Sequence, residues 1–131
     1  MTIPAFTSPV QVGSDTTWSS INGAGGFVHA IKTDGTLWAM GYNNNGELGD
    51  LTVIQRSSPT QIPGTTWNSV EGLNSWVVAT KTDGTMWNWG QDHRLGVNAQ
   101  IARSSPTQIP GTDWNGVVGG AQFITYAIKQ A

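Results

Sequence analysis

Cysteine is absent from the 131 residues, which excludes disulfide staples, thiolate metal sites and a thiol nucleophile. Charge is scarce as well: charged residues make up 11% of the chain, with Lys plus Arg at 6 against Asp plus Glu at 8. The basic residues are scattered, so there is no electrostatic footprint for a phosphate backbone or an anionic membrane surface. Neither nucleic acid nor membrane insertion is therefore expected. No stretch approaches the ~20 apolar residues of a membrane span. The start, Met1-Thr2-Ile3-Pro4-Ala5-Phe6, lacks the basic head and apolar run of a signal peptide. Helical spacing is missing too, and Gly and Pro recur too often for a long helix.

What the chain has instead is tryptophan and turn chemistry. There are 7 Trp and 17 Gly, with Ser, Thr and Asn abundant, a balance suited to hairpins and polar loops. Each Trp can bury on the order of 150–250 Å², so the tryptophans are expected to hold the core together. The length suits a single domain, 1–131.

Self-similarity organises these residues. Ser8-Pro9-Val10-Gln11-Val12 returns as Ser58-Pro59-Thr60-Gln61-Ile62-Pro63 and as Ser105-Pro106-Thr107-Gln108-Ile109-Pro110, the first prolines 50 and then 47 residues apart. Trp18, Trp67 and Trp114 follow at spacings of 49 and 47. Lys32-Thr33-Asp34-Gly35-Thr36-Leu37-Trp38-Ala39-Met40-Gly41 matches Lys81-Thr82-Asp83-Gly84-Thr85-Met86-Trp87-Asn88-Trp89-Gly90. The repeats are 8–57, 58–104 and a partial 105–131. From Trp114 to Lys129 the third copy is one residue longer than the others, which predicts a bulge near Gly119-Gly120-Ala121.

Each repeat reads as four short strands. The Ser-Pro-x-Gln segment opens it, its proline suiting a strand start or an edge. A strand from the Trp to Gly23, Gly72 or Gly119 follows, then one from Phe27, Trp76 or Phe123 to Lys32, Lys81 or Lys129. An Asp-Gly pair, expected in a type I′ turn, leads into the last. That counts 11 strands, four, four and three, with Thr2 to Phe6 a candidate twelfth. In the fourth strand Trp38 and Met40 share one face, as do Trp87 and Trp89, while Leu37 and Ala39, or Met86 and Asn88, share the other. The first face reads as heavily apolar and the second as mixed.

A four-stranded sheet repeated in tandem cannot bury its own apolar face, so neighbours must pack on it, and radial packing gives a β-propeller. The Asp-Gly turn, the segments Leu37 to Gly41 and Met86 to Gly90, and Gly41-Tyr42-Asn43-Asn44-Asn45-Gly46-Glu47-Leu48-Gly49 resemble the repeat of the RCC1-like family, named for the regulator of chromosome condensation. The resemblance, of a bacterial or phage-type repeat, runs from Ser8 onward. It implies an all-β propeller, typically a closed ring of seven four-stranded blades; this chain departs from that in length, with two full four-stranded blades plus a partial third, and is expected to be completed by oligomerisation.

The residues that could carry chemistry have plainer explanations. His29 is replaced by Val78 and Tyr126 in the aligned copies, so no shared reaction needs an imidazole there. Asp34 and Asp83 precede Gly in matching turns, and Ser57-Ser58 and Ser104-Ser105 have no repeated base to activate them. No spacing suggests a zinc site, a calcium loop or a phosphate-binding loop. No catalytic residue, cofactor or metal is expected, and the chain reads as a non-enzyme. The candidate partner-binding loops are Tyr42, Asn43, Asn44, Asn45 and Glu47, and Gln91, Asp92, His93 and Arg94, although Asn and Gly there also serve simply to shape the turns.

These readings predict a structural or recognition module of a multimeric assembly, a homo-oligomer or a component of a phage virion (tail or capsid surface) or cell-surface structure. The alternatives are a protein-binding regulator, since some relatives of this repeat act as exchange factors or inhibitors, and a propeller binding a glycan.

Overall fold

The computed structural model describes residues 8–91, 102–121 and 124–129. Its regular structure is entirely β: β1 (Trp18–Ala24), β2 (Phe27–Lys32), β3 (Leu37–Gly41), β4 (Arg56–Ile62), β5 (Trp67–Leu73), β6 (Trp76–Lys81), β7 (Met86–Gly90), β8 (Arg103–Ile109), β9 (Trp114–Ala121) and β10 (Ile124–Lys129). They form two four-stranded sheets, β1-β2-β3-β4 and β5-β6-β7-β8, and a two-stranded sheet of β9 and β10, antiparallel throughout. We call these blades 1, 2 and 3. Blade 2 packs on blade 1 through β5 against β1 and β2, and blade 3 on blade 2 through β9 against β5 and β6. The sheets thus stack face to face around their first strands, as propeller blades do.

The sequence repeat and the blade are out of phase. The Ser-Pro-x-Gln segment does not open its own blade but closes the preceding one: β4 pairs with β3 through Leu37↔Ile62 and Trp38↔Gln61, and β8 with β7 through Met86↔Ile109 and Trp87↔Gln108. Pro59 and Pro106 therefore sit in outer strands, where a missing N–H removes no ladder bond. Residues 8–12 have no such sheet beside them and are not a strand, so the described strands number four, four and two rather than four, four and three. Thr2 to Phe6 and Phe123 lie outside the described residues.

The Asp-Gly turns also differ from expectation. Gly35 is at φ 82 and Gly84 at φ 83, but neither Asp34 nor Asp83 has positive φ, so the turns are not type I′. The Gly35 N–H donates to the Lys32 carbonyl at 3.0 Å and the Lys32 N–H to the Thr36 carbonyl at 3.0 Å, a wider hairpin with one left-handed residue. The physical reason lies in the side chain: the Asp34 carboxylate accepts from the backbone N–H of Thr36 at 3.0 Å and from its hydroxyl at 2.6 Å. That pair of bonds fixes the residues after the Asp and is repeated at Asp83 and Thr85.

The extra residue of the third copy is where a bulge can hold it. Tyr126 pairs with Gly119 and Ala127 with Val117, leaving Val118 unopposed, one residue before the predicted glycines.

Candidate functional site

Alternation gives each blade two faces, and the seam between blades 1 and 2 shows what each is for. On its leading face blade 1 presents Phe27 and Ile31 from β2, Leu37 and Ala39 from β3, and Ile62 from β4. Blade 2 meets them with its trailing face, Val77, Ala79 and Trp89, flanked by Val70 and Trp87. Leu37, Val77, Ala79 and Trp89 are sealed from solvent. The face that reads as mixed is thus the one buried in blade 1, whereas Trp38 and Met40 are only half-buried. The leading face of blade 2, with Leu73, Trp76, Val78 and Met86, receives Trp114 of blade 3 in turn.

Polar groups set the register of the seam. The Asn22 carboxamide accepts from the Gly72 N–H at 2.6 Å and donates to Glu71 at 3.2 Å, and the Trp67 N–H donates to the Gly35 carbonyl at 3.0 Å. Trp89 Nε1 donates to the Glu47 carbonyl at 2.9 Å. His29 is wholly buried in the seam, edge-on to Phe27 and Trp89. Its Nε2 lies 3.2 Å from the Leu48 carbonyl, so this nitrogen carries the proton, and Nδ1 has no partner. Burial lowers the imidazole to about 4, against a smaller opposing effect of the Leu48 carbonyl. It is a packed, neutral histidine, not a poised base.

The trailing face of blade 1 is built like that of blade 2, but among the described residues no blade covers it, and only Gln11, Val12 and Asp15 of the preceding segment lie at its hollow. Val28, Ala30, Trp38 and Met40 stand where blade 2 has Val77, Ala79, Trp87 and Trp89. With Trp18 and Ile21 they line a hollow of about 400 Å³. Ile21 is 74% exposed. At one end Lys32 lies over both Trp18 and Trp38, 4.9 and 3.9 Å from the ring centroids, and pairs with Asp15. Lys81 makes the same clamp with Trp67 and Trp87 at 4.7 and 4.5 Å. The lysines therefore cap aromatic pairs and are not positioned as a reactive amine.

The acids are equally occupied. Four Asp-x-Thr units, at Asp15, Asp34, Asp50 and Asp83, each hold the Thr N–H and hydroxyl with one carboxylate oxygen. Thr36 and Thr85 hydrogen bonds keep Asp34 and Asp83 below the ordinary carboxylate range. Burial raises Asp50, but the bonds from Thr52, Arg56 and Asn43 together outweigh it and hold it low. The Asp-x-Thr spacing was a signal in the sequence that the Asp-Gly reading missed. No group of His, Asp and Glu able to hold a metal occurs among the described residues.

The sequence-predicted loop residues separate into two sets. Asn43 is fully buried: its amide donates to the carbonyls of Thr52 and Ile54 at 3.1 and 3.0 Å and to Asp50 at 3.2 Å, and its oxygen accepts from the Leu48 N–H at 2.9 Å. Glu47 is buried too, accepting from the Asn45 N–H and carboxamide, both at 2.8 Å. Asn43 and Glu47 are the internal frame of the loop and cannot reach a partner as a surface, while Asn45 is half-buried. Tyr42 and Asn44 remain exposed, joined by a 2.6 Å bond from the Asn44 amide to the Tyr42 hydroxyl. The loop crosses to blade 2, where the Leu51 N–H donates to the Ser104 carbonyl at 2.7 Å. Gln91 is half-buried, its N–H bound to the Ser75 carbonyl at 2.8 Å. Asp92, His93 and Arg94 lie outside the described residues.

Comparison with known proteins supports the blade reading. Residues 34–74 match the Regulator of chromosome condensation (RCC1) repeat, a window that runs from the Asp-Gly turn of blade 1 into β5. Among solved structures the chain is similar to human WBSCR16, with a TM-score of 0.75 at 18% identity over 93% of this chain and 33% of that one. It is also similar to Prp20p from Saccharomyces cerevisiae, described with its binding properties to Gsp1p and histones, with a TM-score of 0.71 at 20% identity over 93% and 33%. The yeast RCC1 (Prp20) structure with Kap60 bound gives 0.72 at 17% identity over 93% and 32%. The chain therefore spans about a third of the length of these structures. No curated protein sequence matches it.

Proposed function

We propose that this chain, which carries RCC1 repeats folded as propeller blades, is a non-enzymatic protein-docking module that works within a multimeric assembly. The observation that carries the reading is the trailing face of blade 1, over which no blade lies among the described residues, whereas its counterpart in blade 2 is buried beneath another blade. An aromatic and aliphatic hollow rimmed by polar residues is the surface expected of a protein contact. A glycan site is less well supported, because the equivalent Trp67, Val77 and Trp89 of blade 2 meet protein. The likeness to Prp20p, described with protein partners, fits a docking role. The setting in a particle such as a virion surface rests on the composition, poor in charge and rich in Asn, Ser and Thr. Finding the chain in purified particles is its test.

A photo-reactive residue placed at Ile21 tests the docking role. In the native setting it is expected to crosslink this chain to a protein. Crosslinks to glycan alone, or none at all, would remove the proposal.

A further inference from the structure

The loop between β3 and β4 shows how this fold seats a chain segment on a blade. Two turns follow one another in it: the Gly46 N–H donates to the Asn43 carbonyl and the Gly49 N–H to the Gly46 carbonyl, both at 3.1 Å. The doubled turn rests on blade 2. Gly46 is buried against the start of β8, where a Cβ on it would fall 2.6 Å from Ser104 Cα and 2.8 Å from the Arg103 carbonyl oxygen. The Leu51 N–H reaches the Ser104 carbonyl at 2.7 Å. Between these points Leu48 is sealed in the core, and Gly49 packs on the Trp89 indole, whose Nε1 donates to the Glu47 carbonyl. The seat is thus a strand start with an acceptor carbonyl beside a large apolar side chain, and what it holds is a Gly-x-Leu-Gly turn, Gly46 to Gly49.

Blade 1 carries the same seat. Arg56 pairs with Gly41 as Arg103 does with Gly90, Ser57 follows Arg56 as Ser104 follows Arg103, and Met40 stands where blade 2 has Trp89. At this strand start there is a cavity of about 580 Å³, lined in part by Gly26, Tyr42, Gln55, Arg56 and Ser57. Ser57 is exposed where Ser104 is half-buried, and among the described residues no loop amide donates to the Ser57 carbonyl. Charge does not recommend the cavity to an anion, because the Arg56 guanidinium is already paired with Asp50 at 2.8 Å.

We infer that this cavity is a docking site for a Gly-x-Leu-Gly turn of a protein partner. Its first glycine lies against Arg56 and Ser57, its leucine over Met40 and Val28, and the amide five residues beyond that glycine on the Ser57 carbonyl. The first position must be glycine, because any Cβ there would run into strand backbone, as it would at Gly46 on blade 2. Tyr42, exposed and bonded to Asn44, forms a wall of the site. This gives one of the sequence-predicted loop residues a partner to meet.

The site adjoins the trailing face on which the docking reading stands but is argued from the seated loop, and the two fail separately. The probe is the capped peptide of residues 43–54, titrated to millimolar concentration into the intact chain. Nuclear magnetic resonance is expected to show the amide signals of residues 42 and 55–57 moving, with amide exchange slowed there. Gly46→Ala in the peptide should weaken binding by roughly tenfold or more. Ser57→Tyr in the chain, at an exposed position, should keep the circular dichroism and remove the binding. Binding that survives Ser57→Tyr, or that perturbs residues 103–105 instead, would mean that the peptide exchanges with the chain's own loop on blade 2, and would overturn the site. Indifference to Gly46→Ala, or no binding at millimolar peptide, would overturn it as well. A peptide that binds as expected while residue 21 crosslinks to no protein leaves this site standing and removes the trailing-face reading; the opposite pair of results does the reverse.

Discussion

At the scale of single residues, the polar groups that look catalytic in the sequence are the joints of the blades, and their titration should show it. His29 is neutral in the folded chain at about 4 but ordinary at 6.5 when unfolded. A folded value below the unfolded one means that the unfolded chain takes up the proton first. Stability is therefore full above pH 6.5 and falls as the pH drops toward 4, by roughly 3 kcal/mol. The low-lying carboxyls Asp34, Asp50 and Asp83 lose their contribution only at lower pH, below the ordinary carboxylate value, so the two windows separate. Urea midpoints measured between pH 7 and 4.5 should fall in the parent chain and stay nearly level in His29→Val, the side chain that blade 2 carries at Val78. The Asp-Thr-Trp relay is the second joint. Thr85 donates to Asp83 at 2.6 Å and accepts from Trp87 Nε1 at 2.8 Å, and the same relay runs through Thr36 to Trp38. Thr85→Val keeps the volume and removes both bonds, with an expected loss of about 1–3 kcal/mol in urea unfolding.

At the scale of the element, the segment between β3 and β4 is a strap from blade 1 to blade 2 held by one carboxamide. Asn43 satisfies two carbonyls, a carboxylate and an amide, and Gly49 behind it, at φ 81, leaves room for Trp89: a Cβ there would come within 2.7 Å of the indole nitrogen. Asn43→Ala strands several buried groups together and should cost about 3 kcal/mol. Amide exchange should rise across residues 43–54 first, and a variant that exchanges no faster there would show that the strap is held by something else. The strap marks the limit of what the sequence could say. Repeats, strands and the edge position of proline are local patterns, and they were legible. Asn43, Asn45 and Glu47 read as a polar loop free for a partner, because one-dimensional pattern does not distinguish a side chain turned outward from one folded back on its own backbone. The phase of the blade was hidden for a similar reason: the identity of Ser58 to Ile62 fixes it as a strand, but which sheet it joins depends on the Leu37↔Ile62 pairing across the strap. The open face of blade 1 was equally out of reach, since Val28 and Val77 are the same residue in the same place and differ only in what lies against them.

At the scale of the whole molecule, stability is a property of seams rather than of blades. Phe27 illustrates the point: it belongs to β2 of blade 1, yet its ring lies 3.0 Å from where a Cβ on Gly72 of blade 2 would be, and it sits in the cluster that includes Trp67, Val77 and Trp89. In a linear array of repeats, the free energy divides into terms within each unit and terms between neighbours, and short units that cannot cover their own faces depend on the latter. Phe27→Ala removes a ring shared by both blades and is expected to cost roughly 3–5 kcal/mol. If the seam is the cooperative unit, that loss is felt by blades 1 and 2 together. Far-ultraviolet circular dichroism and tryptophan fluorescence should then move to lower denaturant in step, as one transition. Ile21→Ser, at an exposed place on the trailing face of blade 1, should leave the unfolding of the chain within about 0.5 kcal/mol of the parent. Were Phe27→Ala to split the transition into two, with blade 2 unfolding at its original midpoint, the blades would be independent sheets that merely touch. The argument that an uncovered trailing face must find a neighbour would then lose its footing.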